Sequence, residues 1–333
     1  MASAYEQAVT RFRDRLLRVD ATAMQAVTDA YAPIRTDLLK QIADLEKVLP
    51  DAQTASDLYK LKRYKSLIAQ IEKQTAQLAS DAGAVIRDGQ ASLVSIAQDE
   101  VKSLATVQAG QASAQLAVNV SESWTMLNHN ALVDLVGRLS DGSPLRDYLD
   151  ALPEGYGSVI SDELVKGIAL GKHPRAISQD LTQRLDGQVA RLLTTTRTAM
   201  LDSYRSASLR SMSENGDILD GWQWQAAHDR RTCLACLALD GTIHPVTETF
   251  MGSHAGCRCS PRPVVTGGVP SARETGQQWF DRQSEGVQNS MLPAYAQDAY
   301  HSGQVTLQDF VHLDKDPRWG DRYRQGSVRE LVV

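Results

Sequence analysis

The chain has 333 residues, of which 42% are hydrophobic and 23% charged, so it can bury a core, spans about two or three domains and is not globally disordered. A formal net charge of −5 argues against a broad surface that grips nucleic acid, because neutralising phosphates drives such binding. No run of about 18 apolar residues occurs, and the charged N-terminus lacks an apolar signal core, so the sequence predicts no membrane span and a cytoplasmic site of synthesis.

Scarce aromatics, at 6%, and abundant Ala, Leu, Gln and Ser favour helices packed through small side chains. Apolar residues at Tyr31, Ile34, Leu38, Ile42 and Leu45 mark a first helical face. Pro50 and Asp51 break it. A second stripe runs through Leu61, Tyr64, Ile68, Ile71, Thr75, Leu78, Ala82 and Val85, in steps of three and four, and needs a partner helix. Leu93, Ala97, Val101, Leu104 and Val107 continue it beyond Gly89, a point of expected weakness. Residues 1–111 therefore read as a helical hairpin or bundle with surface for partner contacts.

Residues 112–221 read as a helical middle region. A Gly-Ser-Pro turn at Gly142–Pro144 separates two helices, Ser161 opens another that Gly171 closes, and a further helix starts after Pro174. The stretch from Gly187 then reads as one long helix ending near Asn215. At residues 222–265 the period changes. Trp222 and Trp224 fall on one side of a strand, Gln223 and Gln225 on the other, and a Cys/His segment with turns at Asp240–Gly241 and Gly252–Ser253 follows. Residues 266–333 read as a Pro/Gly-rich connector and a helical tail. The expected class is mainly α with a small β/zinc-knuckle element (α+β), long N-terminal helices and a helical C-terminal domain.

All four cysteines lie in the Cys/His segment. Cys233 and Cys236 form C-x-x-C, which lets one tight turn present two thiolates to an ion; His254, Cys257 and Cys259 follow after a loop. Thiolate and imidazole suit zinc, and four of the five residues Cys233, Cys236, His254, Cys257 and Cys259 are expected to bind one structural zinc. His228 and His244 read as structural or surface residues. A redox C-x-x-C, a disulfide-stapled loop and cysteines as small hydrophobes are the competing readings. No H-E-x-x-H and no zinc-deaminase pattern occurs, so no catalytic residue is assigned. Arg230, Arg231 and Arg258 stand beside the sulfurs and can offset thiolate charge or face phosphate.

The string D-x-R-T-C-x-x-C-x-x-L-x-G at Asp229–Gly241, followed by H-x-x-C-R-C at His254–Cys259, resembles the phage Mu F-type head morphogenesis, or minor capsid, family. So do Arg197-Thr198 in a helix before the Trp strand and the stretch from Trp279-Phe280 through "YHSGQVTLQDFV" to "WGDRYRQGSVREL"; the resemblance runs roughly over residues 181–333. Where the family commonly has Glu after the Arg-Thr pair, this chain has Ala199. The resemblance implies a non-enzymatic virion protein at the portal vertex, present in the host cytoplasm during assembly and assisting procapsid assembly, DNA packaging or ejection. It implies the portal protein as partner, with scaffold, major capsid protein and DNA as further candidates. The alternatives are a DNA-binding ejection factor and a metal-dependent nuclease or peptidase.

Overall fold

The computed structural model describes residues 3–139, 142–250, 252–269, 273–316 and 320–332. In chain order the elements are α1 (Ala4–Glu46), α2 (Ala55–Lys60), α3 (Lys62–Ala112), α4 (Ala114–Ser123), α5 (His129–Val133), α6 (Leu145–Ala169) and α7 (Pro174–Ser213). They continue with β1 (Leu219–Gln225), α8 (Leu234–Leu239), β2 (Ile243–His244), β3 (Gly252–Ser253), β4 (Ser260–Val265), α9 (Gly276–Asp281), α10 (Glu285–Met291), α11 (Gln297–His301), β5 (Val311–Asp316) and β6 (Gly320–Gln325). The class is mainly α with a small β element, as the sequence predicts. Among the described residues no helix is long and apolar enough to cross a membrane.

The chain forms two compact units, each assembled from segments distant in sequence: residues 20–89 with 137–197, and residues 1–19 with 90–136 and 198–333. Among the described residues the first has helices as its named elements. Its core collects the apolar stripes of four helices, with Val27, Leu38 and Leu45 from α1, Leu67, Ile71 and Leu78 from α3, Tyr156, Ile160 and Leu164 from α6, and Leu181, Leu185 and Leu192 from α7. Polar contacts fix their register. Arg35 grips Asp186 with two bonds of 2.7 and 2.8 Å, and Arg197 holds the buried Asp20 at 3.0 Å.

Three helices are longer than the sequence suggests. α3 passes Gly89 without a break, α6 passes both Pro153 and Ser161, and α7 is continuous from Pro174 through Gly187. One Gly in a helix costs about 1 kcal/mol, whereas each buried Leu or Ile returns about 1.5–3 kcal/mol. Ile86, Leu93 and Ala97 keep α3 buried on both sides of Gly89, and Leu149, Tyr156 and Ile160 do the same across Pro153. Gly171, at φ +62°, ends the helical run before α7, as expected.

The second unit holds both sheets. β1 is the centre of an antiparallel sheet in the order β2-β1-β4. Trp222 and Trp224 point into one core with Val101, Ala105, Val120, Met212 and Phe250, while Gln223 and Gln225 lie on the opposite face. The other sheet has the order β3-β6-β5, with β3 parallel and β5 antiparallel to β6. Gly252–Ser253, expected as a turn, forms the short β3. The segment after the cysteines is not helical throughout: α9–α11 close a second core around Phe280, Leu307 and Phe310, and the β5–β6 hairpin follows. Residues 270–272 of the expected connector lie outside the described residues.

Gly221 has a packing reason to be glycine, because a Cβ there would run into the carbonyl oxygen of His244 on β2. Gly221→Ala should therefore lower the stability of this unit by roughly 1–3 kcal/mol in urea denaturation; an unchanged midpoint would contradict the tight β1–β2 approach.

Candidate metal centre

The metal-ligating candidates sit where β1 hands over to α8 and where the returning chain enters β4. Cys233 is the N-cap of α8, and its Sγ accepts the Cys236 N–H at 3.4 Å. One turn of helix thereby puts two sulfurs at one point, which is the physical content of the C-x-x-C spacing. The second strand of the site is a tight turn: the Cys257 N–H bonds to the His254 carbonyl at 3.0 Å, and Gly256 takes φ +74°. That turn is held from two directions. The Gly256 N–H donates to Thr198 Oγ1 on α7 at 3.0 Å, and the His254 N–H donates to the Tyr323 carbonyl on β6 at 3.2 Å.

All five predicted ligands come together. Cys233, Cys236 and His254 form one set with donor atoms within 4.8 Å of one another, and Cys236, Cys257 and Cys259 form another. Cys236 belongs to both. Its Sγ lies 3.7 Å from Cys257 Sγ and 3.8 Å from His254 Nε2. Tetrahedral zinc, with bonds of about 2.3 Å to sulfur and 2.0 Å to nitrogen, separates its ligand atoms by roughly 3.4–3.8 Å, so these spacings fit the ion. His254 Nδ1 is turned to the Ala255 carbonyl at 3.1 Å, which leaves Nε2 facing the sulfurs. The space between these side chains is about 20 Å³, enough for one ion or one water, and is partly open to solvent. All four thiols are free, and Cys236, Cys257 and Cys259 are buried.

The electrostatics of the cluster are uneven. The hydrogen bond with Cys236 draws the Cys233 thiol down to about 5, against burial and with help from His254. Burial pushes Cys257 up, but hydrogen bonds from Cys236 and Cys259 and the charges of Arg205 and His254 take it well below the usual thiol range. Cys236 is raised well above that range, first by its bonds to Cys233 and Cys257. His254 is raised to about 9, chiefly by its contact with Cys233. Clustered donors that share negative charge in a buried space are what a soft cation stabilises.

The residue that sequence reasoning missed is Arg205. It lies on α7 and is 4% exposed. Its Nε donates to the Cys259 carbonyl at 2.8 Å, Nη2 to the Cys257 carbonyl at 2.6 Å and Nη1 to Asp202 at 2.5 Å, while its guanidinium lies 5.3 Å from the Phe250 ring centre. A buried arginine thus clamps the backbone of both downstream candidates. Its only sequence signal is its place two helical turns beyond Arg197-Thr198, with no spacing rule to tie it to the sulfurs. Of the three arginines that the sequence offers as charge compensators, Arg230 and Arg231 are exposed. Arg258 instead grips Asp229 with two 2.6 Å bonds. His228 and His244 are structural: His228 Nε2 meets Asp240 at 2.7 Å, and His244 stacks on Trp222 at 4.2 Å between ring centres.

The cysteines, His254, Arg205 and the Arg-Thr pair fall within one stretch that matches a known family model. Residues 158–262 match the Phage Mu protein F like protein family. The Mu F-like segment begins within α6, contains α7, β1 and α8, and ends in β4. It starts earlier than the residues 181–333 on which the sequence resemblance rests, and it stops before the C-terminal region. No curated protein and no solved structure matches the chain.

Two outcomes test this architecture. Arg205→Met removes the donors from both cysteine carbonyls and should destabilise the second unit by roughly 3–5 kcal/mol in denaturant titration; a loss below about 1 kcal/mol would show that the clamp is dispensable. In the Asp229–Arg258 pair, burial raises the Asp229 carboxyl, but the bonds from Arg258 and from the Arg231 N–H bring it down to about 2. A depressed acid stabilises above its unfolded value, near 4, and that contribution disappears as pH falls towards 2. Asp229→Asn should therefore cost roughly 1–2 kcal/mol at pH 7, the low figure reflecting a partly exposed pair, and the cost should vanish by about pH 2 in acid unfolding.

Proposed function

We propose that the chain is a phage minor head protein that acts at the portal vertex and assists procapsid assembly, DNA packaging or ejection without catalysing a reaction. One structural zinc, held by four of Cys233, Cys236, His254, Cys257 and Cys259, closes the fold of its Mu F-like segment. The observation that carries this reading is the pairing of the Mu F match with a donor cluster whose interior is about 20 Å³. Cysteine and histidine donors in this number make up the closed, four-coordinate sites of structural zinc, whereas a catalytic zinc keeps an open position. Three thiolates and an imidazole leave a zinc site at about −1, beside the buried Arg205, whose own charge is met by Asp202. The helices of residues 1–111 provide contacts to the portal protein, with scaffold, major capsid protein and DNA as further partners. The protein works in the virion and is assembled into it in the host cytoplasm.

Because Cys236 is common to both donor sets, it has no substitute, whereas one of the other four is spare. Reduced wild-type protein should carry about one zinc per chain, Cys236→Ser should carry none, and a single replacement at one of the other four positions should leave the zinc in place. Metal analysis of the purified variants reads this directly. Structural zinc sites contribute on the order of 10–16 kcal/mol of apparent binding energy, so chelation should make the second unit protease-sensitive while the helical unit stays resistant. Co-expression with a portal subunit tests the partner: co-purification lost on deleting residues in α1 supports the reading, and no co-purification of the intact chain contradicts it.

A further inference from the structure

Asn215 lies two residues past the end of α7 and is followed by Gly216, the one Asn-Gly pair in the chain. It is 1% exposed, and its carboxamide is engaged on both sides. Oδ1 accepts the Thr125 N–H at 2.7 Å, and Nδ2 donates to the carbonyls of Thr125 at 2.9 Å and Ser211 at 2.7 Å. Two residues of α7 tie the same segment further along. Ser203 Oγ, shared with the Ala199 carbonyl, reaches the Leu135 carbonyl at 3.0 Å, and Arg210 Nη1 donates to the Ala131 carbonyl at 3.2 Å. The partners fall from 135 to 125 as the ties run from 203 to 215. Residues 124–135 therefore form a strap antiparallel to the end of α7, within the second unit.

Apolar burial holds this strap only at its ends. Trp124 and Leu135 are buried, whereas none of residues 125–134 is, and Met126 and Val133 are 42% and 51% exposed. A segment with few buried apolar contacts and a solvent-facing backbone is one that opens locally. The side-chain ties from α7 therefore carry much of its attachment, and Asn215 makes two of the four just named.

We propose that Asn215 is a deamidation site that the closed strap shields, and that its conversion frees the strap irreversibly. An Asn-Gly pair is prone to this reaction because glycine has no side chain to screen its amide nitrogen. The Gly216 nitrogen attacks Asn215 Cγ, Nδ2 leaves as ammonia with the proton of the Gly216 N–H, and a succinimide ring closes. Water then opens the ring to aspartate or isoaspartate. One water enters and one ammonia leaves, so no oxidant or reductant is needed. In the closed state both reacting groups are held. Nδ2 is gripped by its two carbonyls, and the Gly216 N–H is turned to the Ser213 carbonyl at 3.3 Å. The Asn215 backbone is pinned as well, its N–H to the Met212 carbonyl and its own carbonyl to the Ile218 N–H. Ring closure therefore waits until the strap lifts. Reclosing then fails, because a carboxylate oxygen replaces the amine that faced the Thr125 and Ser211 carbonyls, and a buried charge without donors on that side is costly. No metal-ligating candidate takes part, so this inference is independent of the zinc reading.

Incubation of the full chain in mildly alkaline buffer, followed by peptide mass mapping across Asn215, tests it. The samples are folded wild type, wild type unfolded in urea, and the folded double variant Ser203→Ala/Arg210→Gln, whose fold circular dichroism checks. Folded wild type should convert about tenfold or more slowly than the unfolded chain, and the double variant roughly fivefold faster than folded wild type, because conversion tracks the population of the open strap. Limited proteolysis reads the release. Chain converted at Asn215, or the variant Asn215→Asp, should be cut within residues 125–134 about tenfold faster than wild type. Equal conversion in folded and unfolded chains, no acceleration in the double variant, or a strap as resistant after conversion as before it overturns the proposal.

Discussion

Crowded sulfur governs the second unit. Three buried cysteines, a fourth half-buried one and an imidazole share a space of about 20 Å³, and Cys236 stands at the meeting point of the two donor sets. Thiolates pushed together away from water repel one another, and neutral thiols there would form only weak mutual hydrogen bonds. A cation at the centre would turn that repulsion into attraction. The short α8 and β4 begin at these residues and the Trp strand packs in the same core, so their mutual arrangement depends on how the sulfurs are reconciled.

The surroundings are built to hold that point rather than to open it. Arg205 clamps the carbonyls of Cys257 and Cys259, Thr198 holds the turn at Gly256, and Tyr323 receives the His254 N–H. These partners come from α7 and β6, so a turn of a few residues is tied to elements more than fifty residues away on either side. Contacts of this kind fix the direction of the side chains on the turn. The Arg-Thr pair acquires two separate physical roles: Arg197 anchors α7 to Asp20 within the helical unit, and Thr198 anchors the ligand turn within the other. Ala199 is buried at 1% exposure, so the acid that the family commonly carries there would need a partner in this packing.

Much of this was legible in the linear chain, for identifiable reasons. Short-range chemistry is written locally: C-x-x-C can only bring its sulfurs together through one turn, and Trp-Gln-Trp-Gln can only alternate across a strand. All five ligand candidates could therefore be named in advance. Helix ends were less legible, because Gly89, Pro153 and Ser161 are local stop or start signals that long buried stripes outweigh. The β5–β6 hairpin was missed because its strands are mostly polar, with Val311 and Tyr323 as their main inward contacts. Arg205 was invisible for a different reason. Its partners are backbone carbonyls fifty-two and fifty-four residues further on, and no residue type records them. The assembly of each unit from separated segments has the same origin, since long helices serve both units and no composition shift marks the crossing.

Zinc-edge X-ray absorption on the reduced, metal-replete protein bears most directly on the claim that an ion clasps this fold. The account predicts a four-coordinate centre with sulfur as the majority ligand at about 2.3 Å, a single nitrogen or a fourth sulfur, and no water oxygen. A centre with a bound water, or a folded chain that takes up no zinc at all, would contradict it.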